Sequence, residues 1–491
     1  MLKDARWTIA TPSEQAAELA ARLRVSTLIA QILINRGVSE PQAAHDFLNP
    51  SLRHLHDPNL LPNLPVAAER IARAIRDHEK IVIYGDYDVD GITATSILWH
   101  AIRILGGTVD WYIPHRLEEG YGLNDEALRQ ICDAGARVIV SVDCGITALD
   151  EARAVCQRGV DLIVTDHHEW REAPPDSCGA RAAMLPECFT IVHPRLPGHA
   201  PYPNPYLCGA GVAFKLAWGI GQAVSGATKV DPEFRQFLIE ATALAALGTI
   251  ADVVPLKGEN RTLARYGLGG LKASKLTGIQ ALIESAGLTG QNLDSYHVGF
   301  LLAPRLNASG RMDHAREAVE MLTVADAPRA AEIATWLEQQ NRARQNIERQ
   351  IFEQALKQCE AVGYRADDDN CRAIVLGAEG WHPGVIGIVA SRIVSRFNRP
   401  AIMVALENGH GHGSGRSVPG FHLARALDAC RDLLHGCGGH EMAAGLSMDS
   451  ARFDEFRAAF CDYARQTITP EMLRPELRID TLAEVSQMTL A

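Results

Sequence analysis

Five aspartates and two histidines are concentrated in three short runs: Gly85-Asp86-Tyr87-Asp88-Val89-Asp90-Gly91, Asp143 after Ser141-Val142, and Asp166-His167-His168. A sixth acid, Asp252, lies in Gly248-Thr249-Ile250-Ala251-Asp252-Val253-Val254-Pro255, where the apolar flanks argue against an idle surface turn. So many carboxylates cannot share one pocket unneutralised, because like charges at close range force protonation. Hard divalent cations with oxygen ligands solve that problem, and the added imidazoles shift the preference from Mg²⁺ or Ca²⁺ toward Mn²⁺. Two such ions, bridged by a shared Asp, would activate water and offset charge on a phosphate in flight. Zinc fits less well, since the eleven cysteines include no CxxC pair. Asp-x-Asp-x-Asp-Gly also opens a calcium loop, but its twelfth position holds Ile97 rather than the Glu that calcium needs.

These side chains converge only if the right elements carry them. Segments 80–84, 137–142 and 161–165 are rich in Val and Ile and read as strands, with another at 108–113. A helix is expected from about Ile92 to Leu105. Strands spaced by helices indicate a parallel sheet buried on both faces, and ligands bind beyond the carboxyl ends of such strands. Three strand ends would thus deliver the acids and histidines to one edge. Residues 1–75 read as helical, and 315–361, almost free of Gly and Pro, as one or two long linking helices. A second α/β pattern follows, with strands at 371–376 and 401–404, a helix over 385–397, and then more helices.

At 491 residues the chain needs more than one core. A 47% apolar and 22% charged composition is that of a globular protein, no apolar run reaches membrane-span length, and the odd, scattered cysteines fit reduced thiols in a cytoplasm. Net charge is −11, which argues against nucleic acid globally. Acids that ligate cations are discounted from that sum.

GDYDVDG (85–91), SVDCGIT (141–147), VTDHHE (164–169) and GTIADVVPL (248–256) resemble, in order, the four motifs of the DHH phosphoesterase superfamily. Within it the chain is most similar to the RecJ exonucleases, over about residues 35–470. The resemblance implies an α/β fold in which a parallel-sheet DHH lobe (76–314) follows the helical region 1–75. A long helix (315–361) then joins it to a smaller α/β DHH-associated lobe (362–470), with a cleft between the lobes. It implies metal ligands Asp86, Asp88, Asp90, Asp143, His167 and Asp252, with Asp143 bridging two Mn²⁺ or Mg²⁺ ions. His168 would contact the scissile phosphate, and Asp166 would orient the site. Pro114-His115-Arg116-Leu117-Glu118-Glu119-Gly120-Tyr121-Gly122-Leu123 is similar to the family segment whose Arg grips a 5′-phosphate. Pro304-Arg305-Leu306-Asn307-Ala308-Ser309-Gly310-Arg311 resembles a RecJ loop whose Arg reaches the substrate phosphate, and Asn307 joins that substrate set.

In the second lobe, Gly380-Trp381-His382-Pro383-Gly384-Val385-Ile386-Gly387, the loop Gly413-Ser414-Gly415-Arg416-Ser417 and Gly438-Gly439-His440 are the resembling marks. Ser414 and Arg416 would take the terminal 5′-phosphate. His440 is a further substrate candidate, although it and His382 also fit a buried structural histidine. The implied activity is 5′-to-3′ hydrolysis of single-stranded DNA to 5′-mononucleotides, in recombination and repair, with helicase and single-strand-binding partners and no membrane. The family's C-terminal OB-fold is expected to be missing or only begun, at 471–491. Two other readings stay open: a small-substrate DHH phosphodiesterase acting on oligoribonucleotides, cyclic dinucleotides or phosphoadenosine phosphate, and an inactive single-strand-binding scaffold.

Overall fold

The Val- and Ile-rich segments have no polar alternation, so both faces of each strand need cover. A computed structural model, describing residues 5–116, 118–173, 181–365 and 370–487, shows how that cover is supplied. Leu117 of the expected phosphate-gripping segment, and residues 1–4 and 488–491 of the expected terminal regions, lie outside the described residues. Two compact units form, one of residues 45–341 and one of residues 1–44 with 342–491.

In the 45–341 unit, β1 (Lys80–Tyr84), β2 (Thr108–Tyr112), β3 (Val138–Val142), β4 (Asp161–Thr165) and β5 (Thr190–Val192) make one sheet in the order β2-β1-β3-β4-β5. Every pairing is parallel. The sequence reading lacked β5, which is only three residues long and pairs with β4 out of an irregular segment. Alternate residues feed two cores. Ile81, Ile83, Val138, Val140 and Ile163 join one, with α1 (Leu64–Arg76), α2 (Val89–Ile104), α5 (Gly209–Ser225) and α6 (Pro232–Ala251). Val82, Tyr84, Ile139 and Val164 join the other, with α3 (Asp125–Asp133) and α4 (Leu149–Gln157). From β1 the chain runs outward to β2 and then back across to β3. The carboxyl ends of β1 and β3 therefore flank the point where strand order reverses, the place where open sheets bind ligands.

Two helices depart from expectation. α2 begins at Val89, not near Ile92, because the Asp88 carboxylate caps it by accepting the Asp90 and Gly91 amides at 2.8 and 3.1 Å. Segment 304–311 is not a loop but lies in α7 (Ala303–Met312), with Pro304 at the junction where a π-helical segment (His297–Leu302) passes into α7. α6, at 20 residues, has the length and mean hydropathy of a membrane span, although Arg235 and Glu240 interrupt its apolar run. It is a core helix here, contributing Phe234, Leu238, Leu244 and Leu247 to the packing beside α2.

The loops on either side of the acid cluster are pinned by a buried pair. Lys215 of α5 and Glu259 are both fully buried and in contact. The Lys215 ammonium donates to the His56 carbonyl at 2.6 Å, while Glu259 accepts from the His56 amide and the Tyr202 hydroxyl, each at 2.7 Å. Removing one partner strands the other charge without water. Lys215→Met is expected to lower unfolding free energy by about 3–5 kcal/mol, measured by urea denaturation. The double change Lys215→Met with Glu259→Leu should recover much of that loss.

In the other unit, β6 (Ile374–Glu379), β7 (Ala401–Glu407), β8 (His410–Arg416), β9 (Gly436–Gly439) and β10 (Ala443–Asp449) form a sheet in the order β9-β10-β8-β7-β6. Only β6–β7 is parallel. The expectation of further helices after residue 404, and of a loop at 413–417, is corrected here: these residues are antiparallel strands. Their glycines serve packing rather than turning. A Cβ on Gly413 would lie 2.7 Å from Leu446, and one on Gly415 2.9 Å from Leu423. α8 (Ala327–Val362), the long helix, begins in the 45–341 unit and ends in this one, and α9 (Pro383–Phe397) covers the sheet. Residues 6–9, expected to be helical, form a strand parallel to Glu476–Ile479, a pairing no local pattern reveals.

Candidate metal centre

Each acid reaches the carboxyl edge of the β1–β5 sheet by its own local device. Asp86 follows β1 directly and is buried. Asp90 sits in the first turn of α2 and accepts the Gly209 and Ala210 amides that open α5, at 2.5 and 2.8 Å. Two helix N-termini therefore face one carboxylate, the favourable end of each dipole for a negative charge. Asp143 ends β3 at φ +62°, the left-handed region, which Asp tolerates better than most residues. Its amide still donates to the Thr165 carbonyl at 3.0 Å, so the strand register holds while the side chain swings to the edge. Asp252 caps the C-terminus of α6.

Asp166 does not face the same point. Its carboxylate is saturated by the amides of His167 (2.7 Å), His168 (3.1 Å) and Ile146 (3.0 Å) and by the His168 ring at 2.8 Å. That makes it the support on which both histidines stand. His167 Nε2 lies 3.1 Å from Asp143 Oδ1, 3.7 Å from Asp90 Oδ2 and 3.7 Å from Asp252 Oδ2. His168 Nδ1 is 3.9 Å from Asp143 Oδ1.

The donor atoms group as Asp86, Asp88 and Asp143 on one side, and Asp90, His167 and Asp252 on the other, each set within 4.8 Å. Asp143 also groups with His167 and His168, so it reaches both sides. Asp86 Oδ1, Asp143 Oδ1 and His167 Nε2 are buried and have no hydrogen-bond partner. Buried polar atoms are seldom left so, and three of them distributed over these donor sets fit a cation pair. Space for the carboxylates is cleared by glycine. A Cβ on Gly209 would lie 2.7 Å from Asp143 Oδ1, and one on Gly248 2.5 Å from Asp90 Oδ1.

Electrostatics agree with that fit. Burial, then the charge of Asp88, pushes Asp86 up to about 8. Burial with the charges of Asp90 and Asp88 does the same to Asp252, also to about 8, and Asp143 is raised well above the carboxylate range by burial and its neighbours. Burial, then the His168 charge, takes His167 down to about 4, the neutral imidazole a metal requires. Burial alone would lower His168, but its hydrogen bond to Asp166 and that residue's charge raise it to about 9. Asp166 itself, despite burial, is held below the usual range by the His168 hydrogen bond and charge.

Residues beyond the acids complete the edge. Asn307 of α7 accepts the Val89 amide at 3.2 Å, steadying the turn that carries Asp88 and Asp90. The Arg116 guanidinium stacks over Tyr87 at 4.7 Å. Arg311 follows Gly310, where an added Cβ would lie 2.8 Å from the Tyr87 carbonyl. The sequence reading gave no role to Tyr121, Arg195 or Gly209. The Tyr121 hydroxyl donates to the Asp143 carbonyl at 3.2 Å and lies 3.1 Å from His168 Nδ1. Arg195 donates to the His167 carbonyl at 2.8 Å, and fully buried His193 bonds to the His168 carbonyl at 2.9 Å.

Ser414, Arg416 and His440 belong to the other unit. There the Arg416 guanidinium donates to Ser414 Oγ at 3.2 Å and to the Gly415 carbonyl at 2.8 Å. Both side chains lie against Gly387, where a Cβ would meet Ser414 Oγ at 2.8 Å and Arg416 Nη2 at 3.2 Å. His382 caps this helix, α9, by accepting the Gly384 amide at 3.1 Å, which shows a structural use for its ring. His440 is exposed, and its ring accepts the Met442 amide at 3.3 Å.

Comparison with known proteins matches residues 80–248 to the DHH family, N-terminal domain, and residues 370–466 to the DHHA1 domain. The single-stranded-DNA-specific exonuclease RecJ of Bacillus subtilis (strain 168) is 39% identical over 488 residues, covering 99% of this chain and 58% of that protein. The RecJ of Dickeya dadantii (strain 3937) is 37% identical over 94% of this chain and 79% of its own length. The crystal structure of RecJ in complex with Mn²⁺ from Thermus thermophilus matches with a TM-score of 0.80 and 33% identity, over 98% of this chain and 65% of that one. The chain thus spans less than two thirds of the B. subtilis relative's length.

Proposed function

Because this chain belongs to the RecJ family of DHH proteins, we propose that it is a 5′-to-3′ exonuclease that hydrolyses single-stranded DNA to 5′-mononucleotides. The observation that carries the reading is Asp143, buried, unpartnered at Oδ1 and grouped with Asp86 and Asp88 on one side and with His167 on the other, at the switch point of the sheet. Two Mn²⁺ or Mg²⁺ ions, held by Asp86, Asp88 and Asp143 and by Asp90, His167 and Asp252, would supply Lewis acidity toward a phosphate and lower the pKa of water. The chain's own residues do the rest. His168, kept protonated by Asp166, offers positive charge to the scissile phosphate. Arg116 and Arg311 offer guanidinium forks to phosphate oxygens, which such forks bind bidentately. Asn307 holds the Asp88–Asp90 turn in register.

Ser414 and Arg416, beside the N-terminal half of α9, form an anion-binding group that suits a terminal phosphate. Holding the 5′ end is what gives an exonuclease its polarity. Arg416→Ala is accordingly expected to raise KM for a 5′-phosphorylated strand about 10- to 100-fold, the worth of one or two charge-assisted hydrogen bonds. KM for the same strand ending in a 5′-hydroxyl should hardly change. Helicases and single-strand-binding proteins that expose and deliver a strand are the partners this reading calls for, in the cytoplasm.

The test is product length over time on 3′-labelled single-stranded DNA with a 5′-phosphate, in Mn²⁺. A ladder shortening from the 5′ end, absent on blunt duplex, is the expected result. Intact long strands with cleavage of short oligonucleotides alone would refute it.

A further inference from the structure

Tyr296 and Phe300 are exposed, at 60% and 68%, and stack on each other with centroids 4.9 Å apart and planes 28° from parallel. Side chains of this size normally leave water, and a stacked pair that does not presents a continuous aromatic face. Phe300 and its neighbours form a π-helical segment, His297–Leu302, which leads directly into α7. Such segments are rare and concentrate at functional sites.

Positions 304, 307 and 311 recur at intervals of three and four and so share one stripe of α7, and the exposed pair at 296 and 300 lies just before it, at the start of and within the π-helical turn. Val298, Leu302, Leu306 and Ala308 occupy the opposite side and are buried. One end of the stripe is the metal centre, through Asn307 on the Val89 amide and Arg311 beside the Tyr87 turn. Toward the other end is the aromatic pair, with Phe300 eleven residues, about 16 Å along the axis, from Arg311 and Tyr296 about a turn further.

We propose that Tyr296 and Phe300 are a stacking platform for the bases of the DNA strand on the 3′ side of the cleaved phosphate, a few nucleotides from the metal centre. This rests on the exonuclease reading and adds a strand-holding surface to it. Stacking suits this chain, because it needs no excess of positive charge and every base has an aromatic face whatever its sequence. A second copy of the chain is a poor occupant, because two aromatic side chains bury only about 300–500 Å², well short of the ~800 Å² per partner of a stable interface.

The experiment compares the protein with a Tyr296→Leu/Phe300→Leu variant on a 5′-phosphorylated dinucleotide and a 5′-phosphorylated long oligodeoxyadenylate. Leucine keeps the apolar bulk and removes the stacking face. KM for the long strand should rise roughly 10- to 100-fold, with dinucleotide kinetics unchanged. Tyr296→Phe should behave as the parent does. A long strand made abasic downstream of its first two nucleotides should be poor for the parent and no worse for the variant. Equal KM on the long strand, as expected if these rings dock a protein instead, would overturn the platform while leaving the exonuclease reading standing. So would an equal loss on both substrates. A parent protein that cleaves neither substrate would overturn the exonuclease reading, and the platform with it.

Discussion

Asp143→Asn is expected to reduce strand cleavage by roughly 10³-fold or more, yet to leave the metal-free protein as stable as the parent or more so. The substitution is nearly isosteric, and Asn tolerates the left-handed backbone at this position as well as Asp does. Only the charge goes. In the absence of cations that charge is a liability, because Asp143 is buried among Asp86, Asp88, Asp90 and Asp166 and is driven toward protonation by them. Removing it relieves repulsion in the metal-free state and deletes the carboxylate that groups with Asp86 and Asp88 on one side and with His167 on the other. Thermal unfolding with and without Mn²⁺ separates this from simple misfolding. The parent should gain about 2.7 kcal/mol per site at a hundredfold excess of ion over Kd, and the variant clearly less. A variant that loses activity but keeps the full Mn²⁺ shift would show Asp143 to be no ligand.

Gly209→Ala is the second large effect, on a residue that touches no candidate substrate. Alanine is ordinarily the better helix residue by about 1 kcal/mol, so propensity predicts a gain. Here the new methyl would stand 2.6 Å from Asp143 Cβ and 2.7 Å from its Cγ and Oδ1, and the same residue's amide holds Asp90. The helix end, Asp143 or both must give way. A shift near 1 Å in Asp143 or Asp90 costs on the order of 10²-fold in rate. Gly248→Ala, against Asp90 Oδ1 and Thr93 Oγ1, should act in the same direction. Single-turnover rates at saturating Mn²⁺ measure the loss, and circular dichroism should show the helices intact. Unchanged rates in Gly209→Ala would mean that the α5 terminus yields freely and does not position Asp143.

Much of this site was legible because its chemistry is local. Asp86, Asp143 and Asp166 each end a run of Val and Ile, and a parallel sheet brings its strand ends to one edge wherever the chain wanders between them. The six proposed ligands gather there, along with His168. What escaped was set by distant contacts. Gly209 lies 66 positions from Asp143, and nothing around it in sequence marks it as the floor beneath a carboxylate. The strand Arg6–Ile9 finds its partner at Glu476–Ile479, so its pattern alone says nothing. Glycines at 413 and 415 look like turn residues, but their strand packs so closely on Leu446 and Leu423 that a Cβ would force those side chains to shift. The loop that the resemblance implied at 304–311 is instead α7, in which Pro304 stands just after a π-helical turn and Gly310 packs on the Tyr87 carbonyl.

The central claim is that the acid cluster is a two-ion centre shared through Asp143. Calorimetric titration of Mn²⁺ into the metal-free protein measures this directly, at a pH where the neighbouring carboxylates can lose their protons. Two ions per chain in the parent, falling to one or none in Asp143→Asn, is the predicted result. A parent that saturates with a single ion, or an Asp143→Asn variant that still binds two, would contradict it.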